Sequence, residues 1–147
     1  MLVVLNDEIN AARDVTKTNT LRVETFRAPE LGMLGYVDGD RISFYRATAK
    51  RHTTRSEFDV RGLKELPPVE IVYSYVQPSP VVIEALLAAG TKGIVFAGTG
   101  AGLISSFEKA ALRKGTAVRA RPVLVRSSRT GNGRVPPNSD YDAAMIP

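Results

Sequence analysis

The stretch TKGIVFAGTGAGLISSFEKAALRKG, residues 91–115, decides the fold. Ile94, Val95, Phe96 and Ala97 make a short, wholly apolar run with β-branched members, which suits a strand buried on both faces. Gly98, Gly100 and Gly102 follow within five residues, and so much glycine lets the backbone turn sharply and approach a neighbour closely. Leu103, Phe107, Ala110, Ala111 and Lys114 then recur at helical spacing. Ser105 with Glu108 three positions on offers a capping box, and Gly115 reads as a C-terminal stop. A strand ending in a glycine turn at a helix start is where open α/β sheets bind ligands. The turn is not G-x-G-x-x-G, because its third glycine comes one residue early, and no Walker lysine follows it. On local grounds the simpler reading is a turn that packs a helix on a sheet.

The scheme repeats on either side. Residues 69–76 read as a strand. Ser79-Pro80 supplies an N-cap and a proline at the first helical position, and Val82, Ile83, Leu86 and Leu87 line a buried face before Gly90. Residues 122–126 read as a third strand and 127–133 as the loop at its end. Strands alternating with helices imply an α/β fold with a parallel sheet covered on both faces. The tail, residues 135–147, has no clear periodicity.

The first half of the chain is different. Residues 2–5 read as a buried strand that begins at the first residue. With no basic n-region and only five apolar residues, this start is not a signal peptide. Residues 6–20 are polar and end in Asp14-Val15-Thr16-Lys17-Thr18-Asn19-Thr20, whose side chains favour turns over regular structure. Lys17 has hydroxyl neighbours on both sides. A lysine shielded from water there could lose its proton and serve as base for a threonine nucleophile, while the plainer reading is a surface lysine. Residues 31–45 alternate about Asp38-Gly39-Asp40, a hairpin signal. Residues 46–66 are polar, without periodicity, and close on Pro67-Pro68, so a domain boundary is expected there.

Composition narrows the chemistry. A chain of 147 residues suffices for one ordinary domain or for a fragment of something larger, and 44% apolar with 24% charged residues is the balance of a soluble globular protein. No apolar run approaches membrane-spanning length. The absence of cysteine excludes disulfides, thiolate catalysis and cysteine metal sites. His52 is the only histidine and lies in a polar basic segment, where a solvated loop residue is expected rather than a metal ligand or a catalytic relay. The net charge of +5 is uneven: residues 113–134 hold Arg113, Lys114, Arg119, Arg121, Arg126, Arg129 and Arg134, and no acid. Such a stretch can bind nucleic acid, or it can face acids elsewhere in the protein.

Five segments, in order, resemble one family: LVVLND, ARDVTKTNT, GYVDGDRISFYR running into KRHT and FDV, GIVFAGTGAG, and VRSSRTGNGRV. The chain resembles the C-terminal half of bacterial type II L-asparaginase and glutaminase-asparaginase, nearly end to end. The resemblance implies a two-domain α/β enzyme that hydrolyses the side-chain amide of asparagine, often also of glutamine, without metal or organic cofactor. It implies catalysis by two threonine hydroxyls, an aspartate and a lysine. It also implies a homotetramer of tight dimers in which the C-terminal domain completes a neighbouring subunit's site. On this reading residues 1–45 are a remnant of the N-terminal catalytic domain, 46–67 a linker, and 68–147 the C-terminal domain without its last helix.

The departures are specific. The family's catalytic threonines lie in T-G-G-T-I and G-T-D-T turns, and neither motif occurs in this sequence. Of the catalytic set, the resemblance assigns only Lys17. Where the family carries asparagine or serine near the substrate, beside its glycine turn, this chain has Leu103. Where it carries a glutamate that contacts the substrate amine across the subunit interface, this chain has Asp140, one methylene shorter. A truncated chain with little activity by itself is therefore expected. The alternatives are one subunit of a split asparaginase and a basic nucleic-acid-binding module, the asparaginase-like motifs arguing against the second. Periplasmic and cytoplasmic locations both remain compatible with the resemblance.

Overall fold

The structure, a computed structural model, describes residues 1–117 and 121–137. It divides into two compact units, Met1–Gly62 and Leu63–Pro147.

In the first unit an antiparallel sheet is built from two hairpins. Strand β1 (Leu2–Leu5) turns through Asn6 and Asp7 into β2 (Glu8–Ala11). Both turn residues have positive φ, 48° and 61°, the two-residue geometry that matches strand twist. Asparagine and aspartate reach that region more readily than most residues. The segment 6–20 is therefore not irregular as its polarity suggests, for it holds β2 and also β3 (Thr16–Lys17), which pairs with β4 (Phe26–Arg27). The expected second hairpin is present as β5 (Gly35–Asp38) and β6 (Arg41–Phe44), turning through Gly39-Asp40. Strand order is β1-β2-β5-β6. The expectation of a buried strand at residues 2–5 fails: β1 pairs only with β2 and leaves Leu2, Val4 and Leu5 exposed, whereas Ile9, Asn10 and Ala11 of β2 are buried. The Arg46 guanidinium closes the second hairpin by donating to the carbonyls of Gly32 and Met33. Beyond it the chain is mostly exposed, with one 3-10 turn at Thr53–Arg55, next to exposed His52.

The second unit is the βα repeat. Strands β7 (Val69–Tyr73), β8 (Gly93–Gly98) and β9 (Val123–Ser128) form a parallel sheet in that order, joined by α1 (Val81–Ala88) and α2 (Ser106–Thr116). Val72, Ile94 and Phe96 meet Ile83, Leu87, Ile104, Ala111 and Leu112 in one core. Ile94 and Phe96 are fully buried, as their run predicts. Helices α1 and α2 touch each other and share that core, so both lie on the face carrying Val72, Ile94 and Phe96, and among the described residues the sheet is covered on that face and not on the other.

Several local expectations shift. Ser79 accepts from the Val81 N–H at 3.3 Å while Pro80 takes the N-cap position of α1, and Val82 is exposed rather than buried. In α2 the buried side chains are Glu108, Ala111 and Leu112, while Phe107 is exposed and Leu103 lies before the helix. Gly115 does not stop α2 but sits inside it. A Cβ there would lie 2.2 Å from Leu87 Cδ1, so glycine serves the close approach of α1.

Candidate functional site

Lys17 stands on β3, paired with Phe26 of β4, and its side chain is exposed rather than shielded. The loop between these strands is tightly held. Thr18 donates to the Thr25 carbonyl from both its amide, at 2.7 Å, and its hydroxyl, at 2.8 Å. The Thr25 hydroxyl donates to the Asn19 carbonyl and accepts from the Asn19 N–H. Asn19 Oδ1 accepts from the N–H groups of Leu21 and Arg22 at 2.9 and 3.0 Å, a side-chain-built turn. Asn6 reaches the loop from the first hairpin, donating to Val23 O at 2.7 Å. The Thr18 hydroxyl beside Lys17 is thus spent on the loop, which holds the backbone on that side of the lysine.

In the second unit the glycine stretch closes a tight loop at the end of β8. Thr99 and Leu103 exchange backbone hydrogen bonds at 3.0 and 2.8 Å, and Gly100 and Gly102 have φ of 49° and 83°. A Cβ on Gly98 would meet the Gly102 carbonyl carbon at 2.6 Å. Leu103 therefore sits at the loop's end with its side chain partly exposed. The loop after β9 is tied to it: Ser128 Oγ donates to Gly100 O at 2.5 Å, and the Arg129 N–H donates to Gly98 O at 2.9 Å.

A buried network locks this edge. Glu108 is 1% exposed. One carboxylate oxygen accepts from the Ser74 hydroxyl at 2.9 Å and the other from the Ser105 N–H at 2.8 Å, while Ser105 Oγ accepts from the Glu108 N–H. The Ser74 carbonyl in turn accepts from the Arg129 guanidinium at 2.7 Å. Ser74 follows β7, Glu108 lies on α2 and Arg129 follows β9, so one set of bonds joins the C-terminal ends of the sheet. Both Glu108 oxygens are engaged within the protein, where they hold Ser74 and Ser105 in place. The capping box with Ser105 was legible in the sequence. Ser74 was not, since nothing in an isolated strand end points to a carboxylate 34 residues away. On α2, partial burial together with repulsion from Arg113 and Arg126 holds the Lys109 ammonium below the usual lysine range.

Of the three residues the resemblance assigns, Lys17 belongs to the first unit and Leu103 to the second, and Asp140 lies outside the described residues. No helix among the described residues is long and apolar enough to cross a membrane.

A parallel sheet joined by helices, with a glycine loop at the end of its middle strand, defines an α/β protein, the class in which ligands bind outside the C-terminal ends of the strands. Residues 68–146 match the model of the Glutaminase/Asparaginase C-terminal domain, residues 1–50 match Asparaginase, N-terminal, and the chain belongs to the glutaminase/asparaginase family. It is 46% identical over 142 residues to L-asparaginase 2 of Bacillus subtilis, a match covering 95% of this chain and 36% of the relative. With L-asparaginase 2 of Escherichia coli it shares 42% over 146 residues, 98% of this chain and 41% of the relative. With glutaminase-asparaginase of Pseudomonas fluorescens it shares 42% over 134 residues, 90% and 36% respectively. The chain thus spans roughly two fifths of the length of these curated relatives.

Proposed function

We propose that the protein to which this chain corresponds hydrolyses the side-chain amide of asparagine, and of glutamine as a second substrate, releasing ammonia. The observation that carries this is the pairing, in one chain, of the DVTKTNT loop and the glycine edge of the parallel sheet, in a sequence similar to relatives named for both amides. In this reading Lys17 is the base that activates a threonine hydroxyl supplied by sequence outside these 147 residues. Lys17 is exposed in this chain, so the shielding that lets it lose its proton has to come from the segment that supplies the nucleophile. Leu103 borders the substrate, and Asp140 supplies a carboxylate to the substrate's α-amine in a neighbouring subunit of a homotetramer. We place residues 1–45 in the catalytic domain, 46–67 in a linker and 68–147 in the C-terminal domain. Limited proteolysis cutting within 46–67 and sparing the rest supports this division, and preferred cleavage elsewhere contradicts it.

The test of function is ammonia release from asparagine. The 147-residue chain is expected to show none above a buffer blank, since it holds neither threonine motif. Turnover by the chain itself, abolished by Lys17→Ala, would mean that another nucleophile is present. With the threonine segments fused in front, activity is expected. In that fusion Asp140→Glu should lower KM, Asp140→Ala should raise it, and kcat should change less in both.

A further inference from the structure

The sheet that carries Lys17 is small. Strands β3 and β4 have two residues each and pair with no third strand among the described residues. A two-stranded hairpin is marginally stable by itself. A lysine adds a flexible four-carbon stem. The direction in which Lys17 points therefore depends on what fixes the backbone beside it. After Lys17, the backbone is held largely by one residue, Thr25. The Thr25 carbonyl accepts from the Thr18 N–H at 2.7 Å and from the Thr18 hydroxyl at 2.8 Å. The Thr25 hydroxyl then takes both backbone groups of Asn19, accepting from its N–H at 2.8 Å and donating to its carbonyl. Thr25 is 5% exposed, although Glu24 and Phe26 on either side of it are exposed.

We propose, on the reading that Lys17 is the base, that Thr25 is the positioning residue that aims it. Three observations separate this role from plain turn formation. First, the turn is already closed without Thr25, because Asn19 Oδ1 accepts from the N–H groups of Leu21 and Arg22. The Thr25 bonds lie on the strand side of that turn, nearest the lysine. Second, they are anchored. Asn6, in the turn of the β1–β2 hairpin, donates to Val23 O at 2.7 Å, two residues before Thr25, so the clamp is tied to the larger sheet of the unit. Third, the chemistry asks for a hydroxyl on a branched side chain. One oxygen must donate and accept at once, which valine cannot do and serine can. The extra methyl of threonine restricts rotation about the first side-chain bond and so keeps the hydroxyl pointed at Asn19. A base displaced by about 1 Å can lose about a hundredfold in rate, so a clamp that fixes only backbone still bears on the chemistry.

Two measurements test it. In the 147-residue chain the Asn19 amide should exchange its hydrogen about tenfold faster or more after Thr25→Val, and Thr25→Ser should restore most of the protection. The second uses the fusion that supplies the two threonine segments, assayed well below the unfolding transition of the first unit. There Thr25→Val should lower kcat about 30-fold and change KM less than about threefold, because a misplaced base slows proton transfer without loosening the substrate. Thr25→Ser should recover most of that rate. In a Lys17→Met background Thr25→Val should have no further effect, since a residue that acts through the lysine has nothing left to position. An equal loss with and without Lys17 overturns the proposal and leaves Thr25 a part of the fold only. So does an Asn19 amide that exchanges at the parent rate in Thr25→Val. A Lys17→Met fusion as active as its parent fails the reading of Lys17 as base, and the clamp with it. A fusion silenced by Lys17→Met and untouched by Thr25→Val fails the clamp alone.

Discussion

The lysine loop of the first unit and the glycine edge of the second are held in opposite ways. The loop at residues 18–25 is fixed by short-range bonds at the surface, most of them from Thr18, Asn19 and Thr25, and leaves Lys17 in solvent. The edge at residues 98–108 is fixed from beneath by a buried carboxylate whose partners come from distant parts of the chain. Lys17 sits on a local, removable support, and the glycine edge sits on a support that is part of the core. Substitutions should therefore separate: on the lysine side chemistry can be lost without stability, and on the glycine side stability goes first.

The largest effect is expected at Glu108. Glu108→Ala leaves the Ser74 hydroxyl and the Ser105 N–H buried without their acceptor and opens a cavity, and should cost about 3 kcal/mol of the second unit's stability in urea titrations. Glu108→Gln keeps the shape and one acceptor and should cost less than half as much. Equal losses for both would break the comparison, because the carboxylate would then matter only as volume. Gly98→Ala should cost about 2 kcal/mol, since its Cβ falls on backbone that has no room to yield. On the other side Asn19→Ala removes the acceptor of two N–H groups at a partly open loop and should cost about 1 kcal/mol in the first unit. Lys17→Ala should change stability by no more than about 0.5 kcal/mol.

The smallest effect is expected at Lys109. Its folded pKa is depressed, so at neutral pH the folded state carries an ammonium it disfavours. Stability should therefore rise as pH climbs from the lowered folded value to the ordinary lysine value near 10.4. Lys109→Gln should stabilise by a few tenths of a kcal/mol at pH 7, and the gain should vanish above about pH 10.5. A gain that does not depend on pH would assign the effect to helix propensity instead.

Much of the second unit was legible because its signals are local. The apolar run at Ile94–Phe96, the glycine turn and the Ser105–Glu108 box each declare themselves within a few residues. What escaped depended on contacts across the fold. Gly115 looks like a helix stop in a string and is a packing site in space, because Leu87 lies against it. The helical spacing read for α2 includes Phe107, which the fold leaves exposed, and does not point to Glu108, which it buries, because hydrophobicity alone favours the aromatic side chain. In the first unit β2 was hidden by polarity: Asn10 occupies a buried strand position where an apolar side chain is expected, and its amide finds no hydrogen-bond partner among the described residues. The Asn6-Asp7 turn was the available signal for that hairpin. The site itself was legible only through resemblance, because a lysine between threonines carries no chemistry until its nucleophile is supplied.

The central claim is that Lys17 is the catalytic base, displayed on a loop whose folding does not need it. The most direct measurement is ammonia release by a fusion that places a segment bearing T-G-G-T-I and G-T-D-T before residue 1, compared with the same fusion carrying Lys17→Met. The account predicts that Lys17→Met lowers kcat by about a thousandfold while the unfolding transition of the first unit stays where it was. A Lys17→Met fusion that turns over asparagine as fast as its parent would contradict it.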